Sequence, residues 1–292
     1  MPKSIADRLS WFATALGSTA ASCLRMAVKS GHSGLRRVIG DGDSERPILI
    51  LGNGPSLKSN LERDMECLQR ADTMAVNFFA NSPEFMVVKP DYYVLADPHF
   101  FDKADSDPNV SKLIANLNTI DFEMTLLIPA VARGRARRLF DNRQLTIETF
   151  NFVAVEGFGW FENMMFGLRC GMPRPRNVLV PAIMTALWLG YKKIYLLGAD
   201  HSWLSTLSVN DNNEVVSVQP HFYKEDEREV TRIRSEYVRH PLHEVLESMM
   251  IAFRSYHRIR EYADREGVEV INVTPGSMID AFVRQKDFTV GD

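Results

Sequence analysis

Pro47-Ile48-Leu49-Ile50-Leu51-Gly52-Asn53-Gly54-Pro55-Ser56-Leu57-Lys58 is the stretch on which the fold of this chain turns. Ile48 to Leu51 is a short unbroken apolar run, the pattern of a parallel strand covered on both faces. Gly52-Asn53-Gly54 then offers two residues that tolerate positive φ and, lacking a Cβ, let backbone N–H groups approach an anion closely. Pro55 suits the first turn of a helix, and Ser56 suits a cap or a bond to a phosphate oxygen. The whole reads as a phosphate-holding strand-turn-helix, although its spacing is neither the dinucleotide G-x-G-x-x-G nor the Walker G-x-x-x-x-G-K-[ST]. A strand-turn-helix without any ligand uses the same residue types, so the rest of the chain has to decide.

Outward from this turn, strands and helices alternate. Leu57 to Arg70 has helical composition; Thr73 to Phe78, Asp91 to Ala96 and Met124 to Pro129 read as strands, with a helix over Val110 to Leu117. Between Ala130 and Gly171 the pattern weakens into an Arg cluster (Arg133, Arg135, Arg137, Arg138) and an aromatic stretch. Pro181 to Leu189 is helical, Lys193 to Leu197 a strand, Leu242 to Arg265 a long amphipathic helix and Val268 to Val273 a last strand. Such alternation implies βαβ units and a mostly parallel sheet, a Rossmann-like α/β fold with helices on both faces. Polar residues or glycines recur at the strand ends: Gly52-Asn53-Gly54, Asn77, Asp97, Asp200 and Pro275-Gly276. In an open parallel sheet the ligand lies outside the carboxyl ends of the strands, so these residues are expected to converge on one crevice.

With 292 residues, 45% hydrophobic and 24% charged, the chain can bury one large core or two modest ones. A net charge of −3 argues against a nucleic-acid binder working by bulk electrostatics. Cys23, Cys67 and Cys170 are widely spaced and odd in number, giving neither a disulfide framework nor a metal pairing, and a cytoplasmic location is the simplest reading. Residues 1–46 read as an N-terminal helical segment and linker, and 47–292 as a single α/β domain. Leu9 to Leu24 is uncharged between Arg8 and Arg25, yet too short and too rich in Ser, Thr and Gly to span a bilayer. Two readings of it stand side by side: a helix lying peripherally in the headgroups of an anionic membrane, or one packed on the body or on a second copy in a homo-oligomer.

Three motifs carry a family resemblance: Gly52-Asn53-Gly54-Pro55-Ser56-Leu57-Lys58, the run Leu189 to Asp200 (Leu-Gly-Tyr-Lys-Lys-Ile-Tyr-Leu-Leu-Gly-Ala-Asp), and Thr274-Pro275-Gly276-Ser277. In this order the chain resembles the bacterial lipooligosaccharide sialyltransferases and their motility-accessory and pterin-diphosphokinase-like relatives, over about Ile48 to Phe282. The resemblance implies a single-domain, Rossmann-like glycosyltransferase of variant A type, with Gly52, Asn53, Gly54, Pro55 and Ser56 at the nucleotide phosphate and Asn77 near the donor sugar. Two departures are visible: Asp97 stands where the sialyltransferases carry Asn, and Asn177-Val178-Leu179 stands where they carry Thr-Ser-Gly.

The implied reaction is an inverting transfer from a CMP-activated sugar, such as a 2-keto sugar acid, to a glycan or glycolipid acceptor at the cell surface, with no metal and no cofactor beyond the donor. It needs a base for the acceptor hydroxyl, and the family uses a His. His221, beside Phe222-Tyr223, and His243, near the start of the long helix, both fit; Tyr223, Asp200 and His201 are further donor-site candidates. Asp105-Ser106-Asp107 spells the D-x-D of metal-dependent transferases but lies in a polar run away from any strand end, which suits a surface loop. Two other functions are compatible with the same residues: a Mg²⁺-dependent diphosphokinase-like phosphotransferase using Asp97 and Asp200 as ligands, and a non-catalytic nucleotide-binding accessory protein of glycan assembly.

Overall fold

The computed structural model describes residues 4–31, 34–35, 46–217, 222 and 238–286. Eight strands form one sheet in the order β10-β9-β6-β1-β2-β3-β4-β5, and every pairing in it is parallel. The strands are β1 (Ile48–Leu51), β2 (Asp72–Val76), β3 (Tyr92–Val94), β4 (Met124–Pro129), β5 (Leu145–Phe150), β6 (Lys193–Leu197), β9 (Glu269–Asn272) and β10 (Val283–Arg284). β7 (Ser208–Val209) and β8 (Val215–Val216) make a separate antiparallel hairpin. From β1 the chain builds outward through β2 to β5, then returns to lay β6 against the other side of β1. The β1/β6 seam is therefore the topological switch point, where an open α/β sheet leaves a crevice beyond its strand ends.

All four residues of β1 are fully buried because the sheet is covered on both faces. Ile48 and Ile50 join the core made with α8 (Leu179–Leu189) and α9 (Leu242–Arg265). Leu49 and Leu51 join the opposite core with α2 (Leu57–Leu68) and α5 (Pro108–Asn118). Burying each such side chain contributes about 1.5–3 kcal/mol, so β1 is anchored in both cores. α1 (Ile5–Lys29) begins in a Ser4/Asp7 capping box. Among the described residues the further α-helices are α3 (Phe85–Val88), α4 (His99–Asp102), α6 (Arg133–Leu139) and α7 (Gly159–Gly167).

Three sequence expectations are corrected. The expected second strand, Thr73 to Phe78, stops at Val76, because Asn77 takes a left-handed φ of 50° and turns the chain into a 3-10 segment. The buried Tyr93 hydroxyl pins that turn, donating to the Asn77 carbonyl at 2.6 Å and accepting the Ala80 N–H at 2.8 Å. Where the pattern weakened, β5 completes the sheet edge. Three of the six residues in Leu-Thr-Ile-Glu-Thr-Phe are polar, and the strand's first four side chains are half-buried or exposed at the edge of the sheet. Finally, the expected third strand, Asp91 to Ala96, shortens to Tyr92–Val94. The Asp91 carboxylate instead accepts the Thr73 N–H at 2.8 Å and the Thr73 hydroxyl at 3.2 Å.

Candidate functional site

The turns after β1 and β6 are built into each other. Gly52 N–H donates to Leu197 O at 2.7 Å and Gly54 N–H to Gly198 O at 2.9 Å, while Ser56 donates its N–H and its hydroxyl to Asp200 at 3.3 and 2.8 Å. Neither Gly52 nor Gly54 is among the positive-φ residues; the left-handed glycine here is Gly198, at φ 61°. A Cβ on Gly54 would lie 2.0 Å from Asp200 Oδ2, and one on Gly52 would lie 2.6 Å from Gly198 O. These glycines therefore serve close approach of two main chains, not backbone freedom. The amides of Gly52, Gly54 and Ser56, expected to cradle a phosphate, are committed to the β6 turn. Thr274 and Ser277 brace that turn in their own right: Ala199 N–H donates to Thr274 Oγ1 at 3.0 Å, and Ser277 Oγ donates to Ala199 O at 2.6 Å.

Above the seam lies a small pocket of about 120 Å³ that takes in Gly52, Asn53, Gly54, Pro55, Asn77, Asp200 and His201. Asn77, Asn177 and Val178 are shared with an adjoining cleft of about 1210 Å³, which also takes Asp97. The strand ends thus meet as the topology requires. Asn77 and His201 both adopt left-handed φ values, 50° and 52°, conformations uncommon outside glycine and frequent at functional sites.

Two amides among the described residues lining this pocket are incompletely bonded. Asn53 Nδ2 donates to Val76 O at 3.1 Å, which fixes the amide and leaves its buried Oδ1 without a protein partner. Asn177 Oδ1 accepts the N–H groups of Leu179 and Val180, at 3.0 and 3.4 Å, and the Tyr256 hydroxyl at 2.9 Å, leaving buried Nδ2 without one. The site therefore holds one unsatisfied acceptor and one unsatisfied donor, each held in orientation by main-chain groups. Leaving such groups unpaired costs about 1–3 kcal/mol apiece, which a ligand offering the reciprocal groups recovers.

Asn177 also sets a proton arrangement. Because the Tyr256 hydroxyl donates to Asn177 Oδ1, it accepts from His201 Nε2 across 2.6 Å, and His201 carries its proton there with Nδ1 as an acceptor. The ring lies among Trp203, Phe253 and Tyr256. Burial pushes the His201 imidazole down to about 4, so it is neutral at physiological pH. Burial also pushes the Tyr256 phenol well above its usual range, keeping it a donor.

The larger cleft is walled by one face of α9 and the turn before it. His240, Glu244, Ser248, Ile251, Ser255 and Arg258 recur at helical spacing along it. Across the cleft, Arg174 Nε donates to Glu156 at 3.0 Å, and Arg258 pairs with Glu162. Arg176 and Arg254 are exposed cations on the same cleft.

Other expected site residues fall differently. His243 is exposed, and the cleft takes its neighbours His240 and Glu244, 3.1 Å apart, instead. His240 is not singled out by the sequence; its helical spacing to Arg258 is the signal that finds it. His221 and Tyr223 lie outside the described residues. Phe222, between them in sequence, donates its N–H to Asn53 O at 3.2 Å and stacks near Phe79. Asp97 is exposed, with Oδ1 accepting the His99 N–H at 2.8 Å. With both Asp200 oxygens on Ser56, the two carboxylates proposed as Mg²⁺ ligands are each already engaged. In the D-x-D run, Asp107 caps α5 through Asn109 N–H and pairs with His99 at 2.8 Å. Burial there works upward, but the bonds from His99, Asn109 and Val110 outweigh it and hold the Asp107 carboxyl below its usual range. Among the described residues no group of three or more His, Cys, Asp or Glu is placed to hold a metal, and no helix is long and apolar enough to cross a membrane.

No family model and no curated protein sequence matches the chain. The fold does have a likeness among solved structures. It is similar to that of the MAf glycosyltransferase from Magnetospirillum magneticum AMB-1, with a TM-score of 0.50 and 16% sequence identity over 94% of this chain. The chain spans 38% of that longer protein. At this identity the likeness shows the fold alone, which in this chain is an α/β architecture with an eight-stranded parallel sheet and an N-terminal helix.

Proposed function

We propose that this chain is a glycosyltransferase that moves a sugar from a nucleotide-activated donor to a surface-glycan acceptor. The observation that carries the reading is the orphan pair at the switch point, Asn53 Oδ1 and Asn177 Nδ2. A base edge or a sugar diol offers a donor and an acceptor side by side, the reciprocal of this pair. The adjoining cleft supplies room for a second substrate, and the similarity to a glycosyltransferase fold agrees with this assignment. The sequence resemblance favours a CMP-linked 2-keto sugar acid as donor, and Arg176 and Arg254 on the cleft suit its carboxylate.

In the proposed reaction the acceptor hydroxyl oxygen attacks the anomeric carbon from the face opposite the nucleotide. The bond to the phosphate oxygen breaks with its electron pair, and a His takes the hydroxyl proton. His221 is the preferred base, because the next residue in the chain is Phe222, which is bonded to Asn53. His240 on the cleft wall is the second candidate. His201, already neutral and hydrogen-bonded to Tyr256, acts as a positioning residue.

A thermal-shift panel of CMP, UDP, GDP and ATP, each with and without Mg²⁺, followed by donor-turnover assays, tests this reading. The expected result is stabilisation by CMP independent of Mg²⁺ and release of CMP from a CMP-sugar, lost in His221→Ala. Stabilisation by none of the four nucleotides overturns the proposal; strict dependence on ATP and Mg²⁺ replaces it with phosphotransfer.

A further inference from the structure

α1 is fastened to the body by polar contacts while a long apolar face of it is left in solvent. Ser22 Oγ donates to Glu156 O at 2.8 Å and accepts the Glu156 N–H at 2.9 Å. Arg25 donates to Ala154 O at 3.1 Å, and Thr19 Oγ1 accepts the Phe158 N–H at 3.2 Å. These anchors lie on one side of the helix. The other side carries Ile5, Leu9, Phe12, Leu16, Leu24 and Val28, each between 52% and 78% exposed. A helix of 25 residues is about 37 Å long, so this is a long open face, not a socket.

The face continues onto a second helix. Trp11 and Phe12 meet Phe158 with ring centroids 5.9 and 5.4 Å apart, and Phe158 stacks on Trp160 at 6.4 Å. Trp160, Met164 and Leu168 follow at four-residue spacing along and just past α7, and all three are exposed. Large exposed apolar surfaces on soluble domains mark interaction sites.

Charge selects the occupant. No charged residue interrupts Leu9 to Leu24, and beyond that run stand Lys3, Arg8, Lys29, Arg36 and Arg37 in sequence, besides Arg25, which is bonded to the body. The acidic residue of α1, Asp7, accepts the Ser4 N–H at 3.0 Å in the cap. A second copy docked on this face would bring cationic ends against cationic ends. An anionic lipid surface offers the opposite charge around an apolar interior, and Trp and Phe rings favour its boundary.

We infer that α1 and α7 together form a membrane-docking face that inserts Leu9, Phe12, Leu16 and Trp160 among the headgroups of anionic lipid. Ser18 of α1 and Glu156, to which α1 is bonded, both line the large cleft. Docking therefore holds the cleft beside the lipid surface, in reach of a lipid-linked acceptor.

The test is flotation of the full chain with vesicles of phosphatidylcholine alone and of phosphatidylcholine mixed with phosphatidylglycerol. Binding is expected to the mixed vesicles above phosphatidylcholine alone, with the excess removed by high salt. Both Leu9→Glu/Leu16→Glu and Trp160→Glu should lower it at least about tenfold. These side chains are exposed, and unchanged melting of each variant confirms the fold. Equal flotation of variants and parent overturns the inference, as does absence of flotation with either vesicle. Loss in the α1 variant alone overturns the two-helix face. Sedimentation as a dimer that Leu16→Glu dissociates, without vesicle binding, assigns the face to a second copy. Nucleotide thermal shifts on the same variants report the cleft separately, so failure of docking and failure of the proposed catalytic reading are distinguishable.

Discussion

The Asp200 carboxylate holds Ser56 with both oxygens, Oδ1 on its N–H at 3.3 Å and Oδ2 on its hydroxyl at 2.8 Å, and so joins the turn after β6 to the turn after β1. Burial raises the pKa of Asp200, an effect larger than the opposing pull of the Ser56 bonds. With the folded value above the unfolded one, the folded state holds the proton more tightly. Ionised Asp200 therefore detracts from stability at neutral pH, and the deficit is relieved as pH falls through the folded value towards the ordinary carboxylate range. Asp200→Asn keeps an acceptor for the amide and a donor for the Ser56 oxygen, so it should match or exceed the parent at neutral pH and lose that advantage in acid. Asp200→Ala leaves Ser56 unpartnered and should lower stability by about 1–3 kcal/mol. Urea unfolding of the three proteins at neutral and acid pH checks this. A greater neutral-pH loss in Asp200→Asn than in Asp200→Ala would show that the carboxylate itself is required.

Gly54→Ala tests the seam from the other side. The added methyl carbon would sit 2.0 Å from Asp200 Oδ2 and 2.6 Å from the Gly198 carbonyl oxygen, so carboxylate and main chain must both give way. A stability loss of about 2 kcal/mol or more is expected, together with loss of the nucleotide thermal shift, since the pocket is framed by these atoms. Gly134→Ala serves as the control, because a Cβ there meets no atom within 4 Å. Equal melting of the two variants would refute close packing as the reason for glycine at position 54.

The fold was legible where burial on both faces leaves an apolar run. β1, β4, β6 and α9 lie where the sequence places them, because each strand is a mostly apolar, buried run and the helix keeps one clear period. β5 does not stand out because three of its six residues, Thr146, Glu148 and Thr149, are polar and break the apolar run. Gathering of strand ends followed from topology, yet the reason for Gly52 and Gly54 did not. A glycine selected for close approach and one selected for positive φ are the same letter. Asn177 stood out in sequence only as a departure from a familiar turn. Its unpaired donor emerges from three bonds to Leu179, Val180 and Tyr256, the last being 79 residues away in the chain.

His201 predicts a pH dependence of the opposite sign to that of Asp200. Its folded value, about 4, lies below the ordinary 6.5, so between these values the unfolded chain binds the proton and the folded one does not. Stability contributed by the neutral ring is complete above the unfolded value and falls away as pH drops towards the folded one. The change amounts to at most roughly 3 kcal/mol. His201→Gln can still donate to Tyr256 but does not titrate. Denaturant unfolding of parent and variant through the mildly acid range should show the parent losing stability with a steeper slope. Parallel slopes would mean that His201 charges in place.

Asn177→Asp separates support of the fold from recognition of a ligand. Asp retains oxygens for the Leu179 and Val180 amides, at the start of α8 where negative charge is favoured, and for the Tyr256 hydroxyl. It removes the one atom without a partner, the Nδ2 donor, and sets an acceptor in its place. Folding should survive, with melting close to that of the parent, whereas nucleotide affinity should fall about tenfold or more as a matched hydrogen bond becomes an acceptor facing an acceptor. Asn53→Asp provides the contrast: it removes the Nδ2 bond to Val76 O but keeps an acceptor on the pocket, so its larger loss should be in stability. Titration calorimetry with CMP and thermal melting of both variants measure the two effects. Retained affinity in Asn177→Asp would leave the orphan donor without a role in binding and remove the main support for the nucleotide-sugar reading.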